Sequence, residues 1–387
     1  MFTRKLMSKN TKKLKVGFVF DDSLDRGDGV QQYILTLGDW LLHQGHKVHY
    51  LVGETKRSDI PNVYSFSKNI RVKFNGNTLS IPLPAKNPEL KTFLERQKYD
   101  ILHVQVPYSP FFAEKVIKNA PKASAVVGTF HILPYNLVGT YGTKLLGVIV
   151  NKSLKMFDRH MSTSTASRDF AKKTFGIDSI VMPNMVDIAK FKPKDGFKRS
   201  NEIAEIVFLG RLVERKGCQY LINALIALNN SNSQIEFHLT ICGVGRLEAK
   251  LKQTINSSNI KNRVNFVGYV SENQKVTYLQ KADITVFPSY AGESFGIVLL
   301  EAMASESGVV LGGMNPGYET VLGKVPGSLV NVKNVNEFSA KLLKFIENKD
   351  FRDKIHQSQQ KIVKQYDKNI VAQRILDVYK QLQKVEG

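Results

Sequence analysis

Two carboxylates and a glycine-bearing turn stand close together in Tyr290-Ala-Gly-Glu-Ser-Phe-Gly-Ile-Val-Leu-Leu-Glu301. Ahead of them, Ile284-Thr-Val-Phe-Pro288 has the composition of a short buried strand closed by proline, and Ile297 to Ala304 reads as an apolar helix. Strand, glycine loop and helix in that order present unpaired backbone N–H groups at a helix N-terminus, which makes an anion seat. Glu293 before the helix and Glu301 within it flank that seat. Carboxylates do not hold phosphate, but they accept hydrogen bonds from hydroxyls. A phosphate seat beside hydroxyl acceptors points to a sugar nucleotide. The plain alternative is a strand–loop–helix unit whose glutamates cap the helix or face solvent.

Sugar transfer from such a donor breaks the bond between C1 and a phosphate oxygen. Negative charge grows on the departing diphosphate and positive charge on the sugar ring. The leaving group therefore needs fixed cations or a metal. Arg211 and Lys216 follow the expected strand Ala204-Glu-Ile-Val-Phe-Leu209, at the end of a strand where ligands sit in parallel sheets. Arginine offers a planar fork and lysine a point charge; the alternative reading is a pair of solvated surface cations. His131 closes the strand Ala125–Phe130 as a lone histidine, a type that by itself is more often structural. Asp21, Asp22 and Asp28 read as exposed loop acids that form turns.

The elements that must position these residues alternate between strand and helix. Lys15–Phe20, a polar loop over 21–29, a helix over 31–44 and a strand at Lys47–Val52 open a doubly wound domain. The loop carries Gly27-Asp-Gly29 without the full G-x-G-x-x-G spacing, so a dinucleotide fingerprint is absent. A hairpin around Asn75-Gly76, a helix over 89–96, strands at 100–104 and 125–130, a basic amphipathic helix over 144–157 and strands at 161–164 and 179–182 complete it. Pro183-Asn-Met-Val-Asp187 crosses into a second alternation: strands at 204–209, 237–242, 264–267, 284–288, 309–311 and 327–330, helices over 218–228, 247–256, 273–282 and 297–304, and a helical tail over 335–384.

A chain of 387 residues with 42% hydrophobic and 23% charged residues fits two globular α/β domains. No apolar stretch approaches the roughly 20 residues that span a bilayer, and residues 2–7 give no secretory h-region. Cys218 and Cys242 lack paired spacing and read as buried thiols in a reducing compartment, which leads us to expect a cytoplasmic protein. The balance of 55 basic against 34 acidic residues, net +21, implies a polyanionic partner: nucleic acid, an anionic membrane or a phosphorylated substrate.

Phe208-Leu-Gly-Arg-Leu-Val-Glu-Arg-Lys-Gly217 paired with Glu293-Ser-Phe-Gly-Ile-Val-Leu-Leu-Glu-Ala-Met-Ala304 resembles the retaining GT-B glycosyltransferases that include sucrose and trehalose synthases. The resemblance runs from about Lys15 to Leu382. Gly29-Val-Gln-Gln-Tyr33, Phe74-Asn-Gly76, Asp100-Ile-Leu-His-Val-Gln-Val-Pro107 and Gly128-Thr-Phe-His131 look most like phosphatidylinositol mannosyltransferases. The resemblance implies two Rossmann-like domains facing across a cleft: residues 1–184 for the acceptor, completed by a C-terminal helix over 369–387, and residues 185–368 for the nucleotide sugar. It implies a donor site of Gly29, Gly210, Arg211, Lys216, Glu293, Ser294, Phe295, Gly296, Ile297, Val298 and Glu301. Within it Arg211 and Lys216 grip the diphosphate, so that no metal or other cofactor is required. Glu293 takes the sugar hydroxyls, Glu301 the ribose, and the backbone of Phe295–Val298 the phosphates. His131 joins Arg211, Lys216 and Glu293 at the reaction centre. Gln31, Tyr33 and Asn75 fall to the acceptor. GDP-mannose or a UDP-hexose is the implied donor.

Lys144, Lys152, Lys155 and Arg159 beside Leu145, Leu146, Val148, Ile149, Leu154 and Met156 form a basic, apolar helix of membrane-surface type, or an ordinary core helix with solvated lysines. Together with Arg71, Lys73, Lys86, Lys91, Arg96 and Lys98 it suggests a peripheral protein on the inner membrane face, with a lipid acceptor such as phosphatidylinositol. The alternatives are a soluble or polysaccharide-precursor acceptor, a polyanion- or nucleic-acid-binding protein, and an inactive sugar-binding scaffold. Aromatics are not interleaved with the basic clusters, so nucleic acid is not expected. Three positions depart from the family pattern: Asp28 and Met185 stand where glycine is usual, and Glu306 is unexpected after the helix over 297–304.

Overall fold

The computed structural model describes residues 12–384 apart from 26, 67–68, 75–76, 83–86, 132, 134–148 and 195–201; for 69–74, 77–82 and 87 it describes the backbone only. Two all-parallel sheets form the frame. The front sheet has seven strands in the order Val63–Ser65, Lys47–Val52, Lys15–Phe20, Ile101–Gln105, Ala125–Phe130, Arg159–Ser162, Ile180–Val181. The rear sheet has six, in the order Val264–Gly268, Phe237–Cys242, Ala204–Leu209, Ile284–Phe287, Val309–Gly313, Leu329–Val330. Parallel sheets are covered on both faces, and the fully buried runs at Ile101–Gln105, Ala125–Phe130, Ile284–Phe287 and Val309–Gly313 show why such strands lose the alternating pattern.

In each sheet the strand order reverses beside its first strand: between Lys15–Phe20 and Ile101–Gln105 in front, and between Ala204–Leu209 and Ile284–Phe287 behind. Crossovers on either side of such a point leave a crevice at the carboxyl ends of the strands. Asp21, Val106 and His131 follow front strands; Gly210, Gly243 and Pro288 follow rear ones.

Helix Lys368–Leu382 returns to the front domain. Its Val371, Ala372, Ile375, Leu376 and Tyr379 join the core built on Phe18, Tyr33, Leu37 and Trp40. Polar ties fix its rotation: Trp40 Nε1 donates to Asn369 Oδ1 at 2.9 Å, and the Tyr379 hydroxyl meets His103 Nδ1 at 2.6 Å. The outgoing and returning crossovers run side by side. Val186 N–H donates to Tyr366 C=O, Lys368 N–H to Val186 C=O, and Lys368 Nζ pairs with Asp187 at 2.7 Å. Met185 is buried in the front core at an ordinary backbone conformation, so its side chain fills space that glycine would leave empty.

Several elements exceed the sequence expectations. Helices Phe112–Lys118, Thr165–Phe175 and Pro316–Leu322 and the strand Val63–Ser65 were not anticipated. Thr165–Phe175 is held by a reciprocal Ser164/Ser167 cap, in which serine stands where the usual signal has Glu or Gln. Pro316–Leu322 does carry a start signal, Asn315 as cap and proline at its first turn. The tail over 335–384 is three helices, Val335–Glu347, Lys349–Val363 and Lys368–Leu382, not one continuous element. The hairpin pairs Asn69–Phe74 with Asn77–Pro82 as expected; Asn75 and Gly76 at its tip lie outside the described residues. Of the expected helix over 144–157, residues 144–148 lie outside them too, and 149–154 are helical.

Candidate active site

A cavity of about 560 Å³ opens between the two sheets' carboxyl ends and takes its walls from both domains. Its rear wall includes Gly210, Arg211, Arg215, Lys216, Glu293, Ser294, Gly296, Ile297, Val298 and Glu301. Gly29, Gln31 and His131 line the front. The two halves touch: the Ser294 hydroxyl donates to His131 C=O, and Gln32 Nε2 lies 3.5 Å from Glu272 Oε1. A β-carbon added at Gly29 would sit 3.6 Å from Ile297 Cγ2, so the first front loop meets the start of the rear helix.

That helix, Ile297–Ala304, begins at Gly296, whose φ of +91° and close approach to the Tyr318 ring suit glycine alone. The turn directs the amides of Gly296, Ile297 and Val298 at the cavity end of the helix. The Phe295 side chain is fully buried, edge-on to Tyr366, and anchors the turn from behind.

Glu293 is the centre of the charge arrangement. Its Oε1 lies 2.8 Å from Lys216 Nζ and 2.9 Å from Arg215 Nη1. Burial alone would raise its pKa, but Lys216 and Arg215 more than reverse this and hold the carboxyl below the ordinary range. Arg211 lines the same cavity. Sequence reasoning singled out Arg211 and Lys216 and passed over Arg215, although the Arg-x-x-x-Arg-Lys spacing contained it. The 3₁₀ turn Glu214–Lys216 brings Arg215 inward.

Glu301 lies one turn into the helix and is paired with Lys275 at 2.7 Å, their side chains 5% and 6% exposed. Lys275 also meets Glu272 at 2.9 Å. Burial would lower the Lys275 pKa, but the two carboxylates raise it above the ordinary value, so it stays charged. Lys275 is a second residue that sequence reasoning missed. It is the fourth residue of helix Glu272–Lys281, which is capped by Ser271 and Gln274, and no local signal distinguishes it from a surface lysine.

His131 is not a lone histidine. Its Nε2 meets Gln105 Oε1 at 2.7 Å, and Tyr33 stacks edge-on to it at 5.0 Å. Burial pushes its pKa down to about 3, so the ring is neutral at physiological pH.

Three front-domain expectations change. Tyr33 is fully buried on the inner face of helix Gly29–His43 and does not line the cavity; it supports His131 instead of meeting an acceptor. Gln31 lines the cavity, with its Nε2 donating to Ser23 C=O at 3.0 Å. Asp21 and Asp22 are not exposed turn acids: both are buried and both line the cavity. Asp21 accepts from the Ser109 hydroxyl and, at 2.6 Å, from Ala113 N–H. Burial raises its pKa to about 7. Val106, on the same wall, is a β-branched residue held at a φ of +57°, a strained conformation of the kind that clusters at functional sites. Cys242 also lines the cavity, its thiol pushed up to about 12 by burial and therefore inert. Among the described residues no three His, Cys, Asp or Glu side chains gather as a metal site.

Comparison with known proteins agrees with this geometry. Residues 190–362 match the family described as glycosyl transferases group 1, and residues 27–190 match Glycosyltransferase Family 4. The chain is 28% identical over 378 residues to a phosphatidyl-myo-inositol mannosyltransferase of Mycolicibacterium smegmatis, covering 95% of this chain and 93% of the relative. Its fold is similar to that of a glycosyltransferase from Rickettsia africae, with a TM-score of 0.74 at 18% identity over 96% of this chain and 99% of the other. It is also similar to Anabaena HepE solved in complex with UDP, with a TM-score of 0.73 at 18% identity over 95% and 100%. Two glycosyltransferase families thus account for residues 27–362 between them, one on each side of the cavity, and the chain belongs to the GT-B glycosyltransferases.

Proposed function

We propose that this glycosyltransferase is a retaining enzyme that moves a hexose, mannose foremost, from a nucleoside diphosphate donor to a lipid-linked polyol such as phosphatidylinositol at the cytoplasmic membrane face. One observation carries the donor half: Arg215 and Lys216 converge on Glu293 at the N-terminus of helix Ile297–Ala304, inside a cavity shared by both domains. The diphosphate would lie against Arg211, Arg215, Lys216 and the amides of Gly296–Val298. As the C1–O bond breaks, charge growing on the departing oxygen meets donors that are already in place, so little reorganisation is needed. Glu293 holds the two cations in register and accepts from the sugar hydroxyls. Glu301, whose pKa burial raises and Lys275 only partly brings back down, accepts from the ribose through the carboxyl oxygen that Lys275 leaves open. Neutral His131 offers a hydrogen bond to the transferring sugar and not a charge.

The acceptor half is supported by the name of the Mycolicibacterium relative and by one surface feature. On the helical residues 149–154 and just beyond, Ile149 and Met156 are 57% and 47% exposed. Lys152 and Lys155 are exposed beside them. Apolar and basic residues together on the outside suit an anionic leaflet. Among the described residues no helix is long and apolar enough to cross a membrane.

The test has two stages. Thermal shift with GDP-mannose and with UDP-sugars identifies the donor; stabilisation by none of them sinks the donor half. Flotation with vesicles containing phosphatidylinositol or phosphatidylglycerol then probes the membrane half. Binding that fades between low and high salt supports it, and flotation with neither vesicle favours a soluble acceptor.

A further inference from the structure

We infer that Gln105 is a positioning residue for His131: it holds the ring as the Nε2–H tautomer, so that Nδ1 faces the cavity as an acceptor for a hydroxyl of the transferring sugar. This rests on the reading of the cavity as a nucleotide-sugar site and deepens it at one residue. Gln105 ends the strand Ile101–Gln105, is fully buried and does not line the cavity. His131 follows the neighbouring strand Ala125–Phe130 and does line it. The two strands pair in parallel, with Gln105 opposite Thr129. Alternate residues of a strand share a face, so His103 and Gln105 on one strand meet Thr129 and His131 on the other. Two tiers result. His103 Nε2 lies 2.6 Å from Thr129 Oγ1, and His131 Nε2 lies 2.7 Å from Gln105 Oε1.

A neutral imidazole carries one N–H and one lone pair, and the partner of one nitrogen sets the role of the other. Here the Gln105 amide decides. Its Nε2 donates to His103 C=O at 3.4 Å. Turning the amide over would set Oε1 against that carbonyl, two acceptors facing each other. Oε1 therefore faces His131, and an acceptor in that place calls for Nε2–H. The surroundings hold this arrangement still. His103 Nδ1 is met by the Tyr379 hydroxyl at 2.6 Å, and the Tyr33 ring packs edge-on to both imidazoles, 6.2 Å from His103 and 5.0 Å from His131. Next in the chain, Val106 holds its φ of +57° while its N–H donates to Thr129 C=O at 3.1 Å, so strand pairing continues past Gln105 through a strained residue. The ring edge bonded to Gln105 points into the protein, which leaves the Nδ1 edge for the cavity. A sugar hydroxyl that donates to Nδ1 gains electron density at its oxygen, which suits a sugar ring acquiring positive charge. A hydroxyl that accepted from an Nδ1–H would lose electron density instead.

The test uses the full-length protein with ¹⁵N-labelled histidine. The ring resonances of His131 are picked out from those of the eight histidines with His131→Asn. Wild type is expected to show the Nε2–H tautomer; an Nδ1–H ring overturns the inference, with no variant needed. Gln105→Leu sets an apolar group against Nε2, so the proton should move to Nδ1, where water in the cavity can take it. Calorimetry then compares GDP-mannose with GDP and UDP-glucose with UDP. In Gln105→Leu the nucleotide sugar that wild type binds should weaken by about tenfold, the cost typical of removing the partner that orients a histidine, while the plain nucleotide binds as before. Gln105→Glu keeps an acceptor in the same place. At alkaline pH, where His131 and the nearby His103 are uncharged, it should keep both the Nε2–H proton and the affinity for the sugar. Equal weakening of nucleotide and nucleotide sugar in Gln105→Leu shows a structural role only and overturns the inference, as does a tautomer that Gln105→Leu leaves in place. Failure of wild type to bind any of the four nucleotides overturns the donor reading, and with it the role of Nδ1 toward a sugar, whereas the ring resonances still report on Gln105.

Discussion

Lys216 Nζ lies 2.8 Å from Glu293 Oε1, with side chains 19% and 11% exposed, and Arg215 shares the same oxygen at 2.9 Å. One carboxylate oxygen thus serves as the shared counter-charge of two cations. Glu293→Gln leaves both without their counter-charge, a loss that costs about 3–5 kcal/mol when a buried pair is broken. A bound diphosphate would restore the balance. The thermal shift produced by UDP or GDP should therefore be larger in Glu293→Gln than in wild type, even though the variant is less stable alone. Equal shifts in the two proteins would contradict the placement of the diphosphate. The pH dependence has a definite sign. The folded pKa of Glu293 is depressed, so its contribution is present above the ordinary carboxylate range and lost as pH falls through it. The stability gap between wild type and variant should close in acid.

The Lys275–Glu301 pair separates stability from donor binding. Truncating either partner alone strands the other in a site about 5% exposed, at a cost of about 3–5 kcal/mol. The double change Lys275→Met with Glu301→Leu removes both charges, and most of the lost stability should return. Donor affinity should not return, because the ribose acceptor is gone. Chemical denaturation and calorimetric titration of the three variants decide this. Recovery of affinity in the double variant would remove Glu301 from the donor site.

Asp21 supplies the opposite pH sign. Its folded pKa, about 7, lies above the unfolded value of about 3.8. The folded state therefore binds more protons between those values, and stability falls as pH rises through that window. Asp21→Asn keeps the shape. It can accept from Ala113 N–H and donate to the Ser109 hydroxyl, so it should be more stable than wild type at pH 8. The advantage should disappear at about pH 3, below both pKa values, where wild type is mostly protonated in both states. Melting curves at the two pH values test this; a constant difference would show that the carboxyl titrates normally.

Glu306 sits at a φ of +52° in the turn after helix Ile297–Ala304. A non-glycine residue pays about 1–2 kcal/mol in the left-handed region. Glu306→Gly should therefore raise the melting temperature, by less than the full penalty because glycine loosens the unfolded chain. Donor affinity should be unchanged. A lower melting temperature would show that contacts of the Glu306 side chain outweigh the backbone strain.

The amino-acid sequence by itself determined the two-domain parallel α/β frame. Short apolar strands alternating with amphipathic helices admit few other arrangements, and Ala125–Phe130, Ala204–Leu209, Phe237–Cys242 and helix Ile297–Ala304 fall where periodicity placed them. It also determined the strand, glycine turn and helix start over 284–304, because they are contiguous in the chain. Charge pairing and burial were decided only by tertiary structure. Glu293 meets Arg215, 78 positions away, and its neighbour Lys216, and Glu301 meets Lys275 at a separation of 26. Asp21 and Asp22 looked like turn formers because a sequence shows that an acid lies in a loop, but not that both are buried or that Ser109 and the start of helix Phe112–Lys118 hold Asp21. Tyr33 shared a motif with Gln31, and two residues along a helix turn a side chain by roughly 200°, from the cavity into the core. Local patterns fix what is near in the chain; which charges face each other, and how little water reaches them, follows from packing that no local pattern encodes.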